Sequence, residues 1–100
     1  MVRPASGEAR FGTRASMISV LVVEDEPLTR RALKLALTAA DFEVAEAGDA
    51  GSCREVINSR HIDVVVLDLG LPDVEGLAAI RRARAAAPGI PLVVLTGMDD

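Results

Sequence analysis

Four polar side chains in this chain of 100 residues stand where they could do chemistry together. Glu24 and Asp25 follow the apolar run ISVLVV, Asp68 follows VVVL, and Thr96 follows LVVL. Short apolar runs rich in β-branched residues read as strands buried on both faces of a parallel sheet. The carboxyl ends of parallel strands share one edge, and that edge is where open α/β sheets bind ligands. Carboxylates gathered there repel one another unless protons or a cation neutralise them. An oxygen-only donor set with open positions suits Mg2+, which keeps several waters and is held by one or two carboxylates. The Thr96 hydroxyl adds a donor for an anionic oxygen. Acids, a hard divalent ion and a hydroxyl together point to phosphoryl chemistry, with one carboxylate as acceptor.

The elements that must position these groups are legible in order. The stretch DVVVLDLGLPDVEG, from Asp63 to Gly76, carries Asp68 at the end of its apolar run. Gly70, Pro72 and Gly76 are expected to end that strand and form a loop. Upstream, ISVLVV gives a first strand, and Pro27 opens a helix just after the acids. From Leu28 to Ala40 the spacing is helical. Leu28, Ala32, Leu35, Ala36 and Ala39 form an apolar face, widened by Leu33, Leu37 and Ala40 as for a helix on a sheet. Arg30, Arg31, Lys34 and Thr38 take the opposite arc. Asp41 occupies a helix-ending position that would suit glycine. Phe42–Ala47 alternates and reads as an edge strand. Asp49 is a candidate N-cap for a helix with Ala50, Cys53, Val56 and Ile57 on one face. Leu77–Ala87 is expected to be helical, with Leu77, Ile80 and Ala83 inward and Arg82, Ala85 and Ala86 outward, stopped by Pro88-Gly89. Leu92–Leu95 is the last strand. This alternation of strands and helices with short connections defines an α/β fold, a parallel sheet with right-handed crossovers and helices on both faces.

Composition narrows the function classes. The chain is long enough for one small domain. Half of its residues are hydrophobic, yet no run approaches the roughly 20 apolar residues of a membrane-spanning helix. A net charge of −4 argues against a nucleic-acid-binding surface on these residues. Arg3, Arg10 and Arg14 against Glu8 make residues 1–17 basic, so the remainder is more acidic than the whole. That first segment has no apolar periodicity and is expected to be a disordered extension, or to precede a true start at Met17. The single Cys53 forms no intramolecular disulfide and fits a reducing, cytoplasmic setting.

With these residues in place, the chain resembles the receiver domain of two-component response regulators over residues 18–100. VLVVEDEP, DVVVLDLGLPDVEG, the helix LAAIRRAR and LVVLTG match in order and spacing. The resemblance implies a flavodoxin-like doubly wound sheet, its strands in order 2-1-3-4 before a fifth. It implies that Asp68 accepts phosphate from a partner histidine kinase or phosphotransfer protein, within a phosphorelay that regulates an output domain or partner. Asp25 would coordinate Mg2+ directly, Glu24 would act mainly through metal-bound water, and the backbone carbonyl of Gly70 would complete the metal site. Thr96 would contact the phosphoryl group and report its presence. The implied protein is a signalling module and not an enzyme.

The family continues with a further helix, a fifth strand bearing a lysine, and a last helix. This sequence ends at Asp100, and its only lysine, Lys34, lies on the first helix. A C-terminally truncated receiver, part of a longer protein or a truncated product, is therefore expected, with its last strand an open apolar edge. A sharp cooperative melt of monomeric residues 17–100 would count against that. An aspartate-nucleophile phosphohydrolase also places an acid after a buried strand, but usually carries a second acid two residues on, where Gly70 stands. A phosphorylation-independent interaction module, or an inactive remnant, is the other alternative. His61 reads as a loop residue, Cys53 as a small buried apolar group, Arg81, Arg82 and Arg84 as a solvated helix face, and Glu26 and Asp73 as local helix-start or loop acids.

Overall fold

The computed structural model describes residues 17–70 and 74–96. The expected N-terminal extension up to residue 16, the turn at Pro72, Asp73 and Gly97 lie outside the described residues. The elements alternate as β1 (Ser19–Val23), α1 (Pro27–Ala39), β2 (Glu43–Ala47), α2 (Ala50–Ser59), β3 (Val64–Gly70), α3 (Val74–Ala86) and β4 (Leu92–Thr96). The four strands form one parallel sheet in the order β2-β1-β3-β4. Strands β1 and β3 lie at its centre, which is why their side chains are almost wholly apolar. One face of the sheet presents Leu21, Val23, Ala45, Ala47, Val65 and Leu67. Against it pack Cys53 of α2 and Ala83 and Ala86 of α3.

Helices α1 and α2 are each capped by a side chain that the sequence places at the start. Glu26 is the N-cap of α1, its Oε1 accepting from the Thr29 N–H at 2.9 Å, with Pro27 in the first turn. Asp49 caps α2 in a capping box: Oδ1 accepts from the Ser52 N–H at 2.8 Å, and Ser52 Oγ accepts from the Asp49 N–H at 3.2 Å. Asp41 leaves α1 with φ +72°, and Gly89 turns the chain after α3 with φ +82°.

Three expectations are corrected. Helix α3 starts at Val74, so Gly76 is a buried helical residue and not a loop breaker. With the helix phased from there, Leu77 points outward at 57% exposure and Ala86 inward at 4%. The inward row is Gly76, Ala79, Ile80, Ala83 and Ala86, spaced by threes and fours. Strand β3 likewise runs on through Asp68 to Gly70. The third correction concerns α1, which has no buried residue. Leu28 and Leu35 are 79% and 62% exposed, and Leu33, Lys34 and Leu37 are the half-buried ones. Arg30 and Lys34, expected on a solvent arc, reach Glu46 of β2 at 3.4 and 3.3 Å. On the α1 side of the sheet, Val93 and Leu95 of β4 are exposed too.

The amino edge of the sheet is tied by Asp63. Its Oδ2 accepts from the Ser19 N–H at 2.7 Å, its backbone N–H donates to the Ser19 carbonyl at 2.8 Å, and exposed His61 places Nε2 2.7 Å from Oδ1. The Ser19 N–H, and next the His61 ring, hold the Asp63 carboxyl below the ordinary 3.8. A carboxyl lowered by folding contributes stability that is present above its ordinary value and lost as the pH falls below it. Asp63→Asn is therefore expected to lower the urea midpoint at pH 7, with the gap to wild type narrowing at a pH below 3.8. A gap of equal size at both pH values would contradict this.

Candidate functional site

Strand β1 hands the chain directly to the site. Glu24 is the first residue after it and is only 8% exposed, because its backbone N–H still donates to the Ala47 carbonyl at 3.0 Å. Its Oε2 accepts from the Glu26 N–H at 2.8 Å, which folds the acid back over its own loop. Asp25, next to it, is exposed. Asp68 arrives from the neighbouring strand, where the pairing of Val20–Val23 with Val64–Leu67 fixes its height above the sheet. Glu24, Asp25 and Asp68 line one cleft of about 330 Å³, closed by Asp49, Ala50 and Cys53 of α2 and its cap and by the flank of α3. The structure thus brings together the three acids singled out in the sequence.

Their proximity has an electrostatic signature. Burial pushes the Glu24 carboxyl above its ordinary 4.5, the Glu26 N–H opposes this, and the Asp25 hydrogen bond and the charges of Asp68 and Asp25 push it further up. A carboxyl raised by folding loses stability as the pH rises from 4.5 through its folded value. Above pH 4.5 the Glu24 carboxyl therefore costs the fold stability that it does not cost in acid. Glu24→Gln is expected to raise the urea midpoint at pH 7 and to leave it unchanged below pH 4. A fall at pH 7 would contradict this account.

Gly70 and Thr96 close the β3–β4 ladder. The register runs Leu67 with Val94 and Asp68 with Leu95, then slips by one residue so that Gly70 lies opposite Thr96. This bulge sets Asp68 at the last regular pair and brings the backbones of Gly70 and Thr96 together beside it. Among the described residues, no group of three His, Cys, Asp or Glu side chains is gathered tightly enough to hold a metal ion by itself. Asp25 and Asp68 offer two hard oxygen donors, the number Mg2+ ordinarily takes from protein carboxylates, its other positions being filled by water.

Two residues at the site escaped the sequence reading. Arg30 donates from Nη1 to the Glu24 carbonyl at 2.8 Å while its Nε faces Glu46, so α1 braces the exit of β1. Gly48 leaves room for it, since a Cβ there would stand 3.1 Å from Nη1. The available signal was Arg30 and Lys34 one helical turn apart with an acid, Glu46, on the next strand. Arg82 is the second: it is exposed, as expected of a solvated face, but it lines the acid cleft. Cys53 is fully buried, and burial raises its thiol pKa, so it acts as a core residue.

A parallel sheet ordered β2-β1-β3-β4 with acids at the ends of β1 and β3 places the chain in the flavodoxin-like class of α/β folds. Residues 20–100 match the response regulator receiver domain, and the chain belongs to that family. It is 38% identical over 82 residues to the probable transcriptional regulatory protein TcrX of Mycobacterium tuberculosis, covering 82% of this chain and 35% of TcrX. It is 41% identical over 83 residues to the virulence transcriptional regulatory protein PhoP of Salmonella typhimurium, covering 83% of this chain and 37% of PhoP. The chain thus spans about a third of the length of these curated relatives. Among solved structures it resembles the response regulator TrrA of Thermotoga maritima in complex with Mg2+-BeF. That match has a TM-score of 0.64 and 29% identity, over 83% of this chain and 72% of TrrA. TrrA has also been solved in complex with the histidine kinase ThkA, matching this chain at 28% identity with a TM-score of 0.64 over 84% of this chain and 72% of that one. No helix of the described residues is long and apolar enough to cross a membrane.

Proposed function

We propose that Asp68 is the phosphoacceptor of this receiver domain, taking its phosphoryl group from a histidine kinase or phosphotransfer partner. The observation that carries this reading is the convergence of Asp68 with Asp25 and Glu24 in one cleft at the carboxyl edge of the central strands. An Asp68 carboxylate oxygen attacks phosphorus in line with the bond to the donor's imidazole nitrogen. The new O–P bond forms as the N–P bond breaks, and the electron pair of that bond returns to the ring nitrogen. Such a step asks for positioning and charge neutralisation more than covalent help. A rigid ladder holds the nucleophile, and the cleft wall of α2 and α3 limits the approach.

Asp25 and Asp68, with the Gly70 carbonyl, would hold Mg2+, and Glu24 would reach it through water because one of its oxygens is committed to the Glu26 N–H. The bound ion supplies the positive charge that lets one anion approach another. The fit is supported by the Glu24 carboxyl, pushed up first by burial and further by the charges of Asp68 and Asp25, a repulsion that a cation would relieve. Thr96, opposite Gly70, would contact the transferred group through its hydroxyl and so report its arrival. TrrA, solved both with Mg2+-BeF and with a histidine kinase, supports the same ion and partner here. The transcriptional regulatory role of TcrX and PhoP supports regulation of gene expression as the output. In this reading the chain is a cytoplasmic switch and not a catalyst with turnover.

The test is to incubate the chain with Mg2+ and acetyl phosphate and follow the intact mass. One acyl phosphate per chain, removed by hydroxylamine and absent when EDTA replaces Mg2+, is the expected result. Continuous release of phosphate without a stable adduct would favour a phosphohydrolase, and no adduct would leave an interaction module.

A further inference from the structure

The cleft around Asp68 is strongly one-signed. Glu24, Asp25, Asp49 and Asp68 all line it, and the one cation among its described lining residues is Arg82 of α3. A phosphoryl donor carries negative charge of its own, so it enters against the field of these acids. Two carboxylates matched by one divalent ion still leave Glu24 and Asp49 facing the incoming group. A second positive charge is needed on the side of the cleft away from the metal ligands of β1 and β3. The α3 flank is that side.

Three observations place Arg82 in this role. It makes no hydrogen bond or ion pair with any described residue, although four acids share its cleft. Glu24 is committed to the Glu26 N–H and Asp49 to Ser52. The guanidinium therefore keeps its donors for a ligand. Its neighbours on the flank, Gly76, Ala79 and Ala83, are small, so the long side chain borders open volume. Two other basic residues nearby are engaged elsewhere: Arg84 donates to the Ile90 carbonyl at 3.0 Å, and Arg30 holds the Glu24 carbonyl and Glu46. A planar guanidinium with a free edge matches two oxygens of a tetrahedral phosphate, which an ammonium matches less well.

We infer that Arg82 contacts the non-transferred oxygens of the phosphoryl group over Asp68, and so speeds phosphorylation by anionic donors. This rests on the phosphoacceptor reading for its kinetic consequence but not for the contact itself. The test uses the full chain with Mg2+ and has two arms. In the first, the rate of Asp68 acyl phosphate formation from acetyl phosphate is compared for wild type, Arg82→Gln and Arg82→Lys. Arg82→Gln is expected to be slower by about tenfold, the scale of one charge-assisted hydrogen bond, with a weaker dependence on salt. Arg82→Lys is expected to fall between the two. In the second arm, the Arg82 Nε–Hε resonance is followed by NMR as inorganic phosphate is added, and is expected to move. Because Arg82 is exposed, the urea midpoints of the variants should match wild type.

An Arg82 resonance that does not move with phosphate overturns the inference, whatever the labelling shows. So does an Arg82→Gln rate equal to wild type. If the wild-type chain takes no label but the resonance moves, the contact stands and the phosphoacceptor reading falls.

Discussion

The Asp68→Asn variant is expected to take up no phosphoryl label from acetyl phosphate or from a phosphorylated histidine kinase. The change is nearly isosteric and removes only the charge and one nucleophilic oxygen. An amide oxygen is a poor nucleophile toward phosphorus, and the remaining acids of the cleft sit beyond another strand or at α2, out of line with the position that β3 defines. Loss should therefore be complete, not partial. The fold gives an internal control. Asp68 is one of the charges that push the Glu24 carboxyl up, so removing it relieves repulsion, and the urea midpoint of Asp68→Asn should equal or exceed that of wild type. An inactive variant that is at least as stable would assign the loss to chemistry. Retention of label at another residue, found by intact mass and peptide mapping, would contradict the assignment.

Leu21→Ala is expected to lower stability by about 2–5 kcal/mol, the range for deleting a buried leucine and leaving a cavity. Leu21 is fully buried in central strand β1 and belongs to the cluster that joins the sheet to α2 and α3. Total stability in small domains is about 5–15 kcal/mol, so this one change removes a large share and is expected to broaden or abolish the melt at physiological temperature. Leu28→Ala supplies the contrast. Leu28 is the same residue type in α1, but 79% exposed, and its loss is expected to shift stability by no more than about 0.5 kcal/mol. Urea melts of the two variants side by side measure the difference. Equal losses would mean that the α1 face is covered in solution.

That contrast also marks how far the sequence could be read. The strands were legible because parallel-sheet strands are continuous apolar runs, and VLVV and VVVL stand out from any other pattern in the chain. The acids at their ends, Asp25 and Asp68, then came from topology, since parallel strands deliver their carboxyl ends to one edge. Helix phase was less legible. In α3, Leu77, Ala78, Ala79, Ile80 and Ala83, with Ala85 and Ala86, spread small apolar residues around the whole circumference, so little contrast marks the inner face. Gly76 suggested a loop, when it is a buried helical residue that lines the cleft. In α1 the leucines lie on more than one side, and the inner side was decided by a feature of tertiary structure, the pairing of Arg30 and Lys34 with Glu46. Arg82 was legible as an exposed helix residue but not as part of the cleft, because its place depends on how α3 lies against α2.

The bulge at the end of β3 insulates the position of Asp68 from changes in chain length. Pairing from Val65 through Asp68 is complete before the slip occurs. A residue gained or lost after Asp68 falls on Leu69 and Gly70, past the last regular pair, and leaves Asp68 opposite Leu95. The sheet thus fixes the acid from its amino side, and the strand beyond it can slip without moving it.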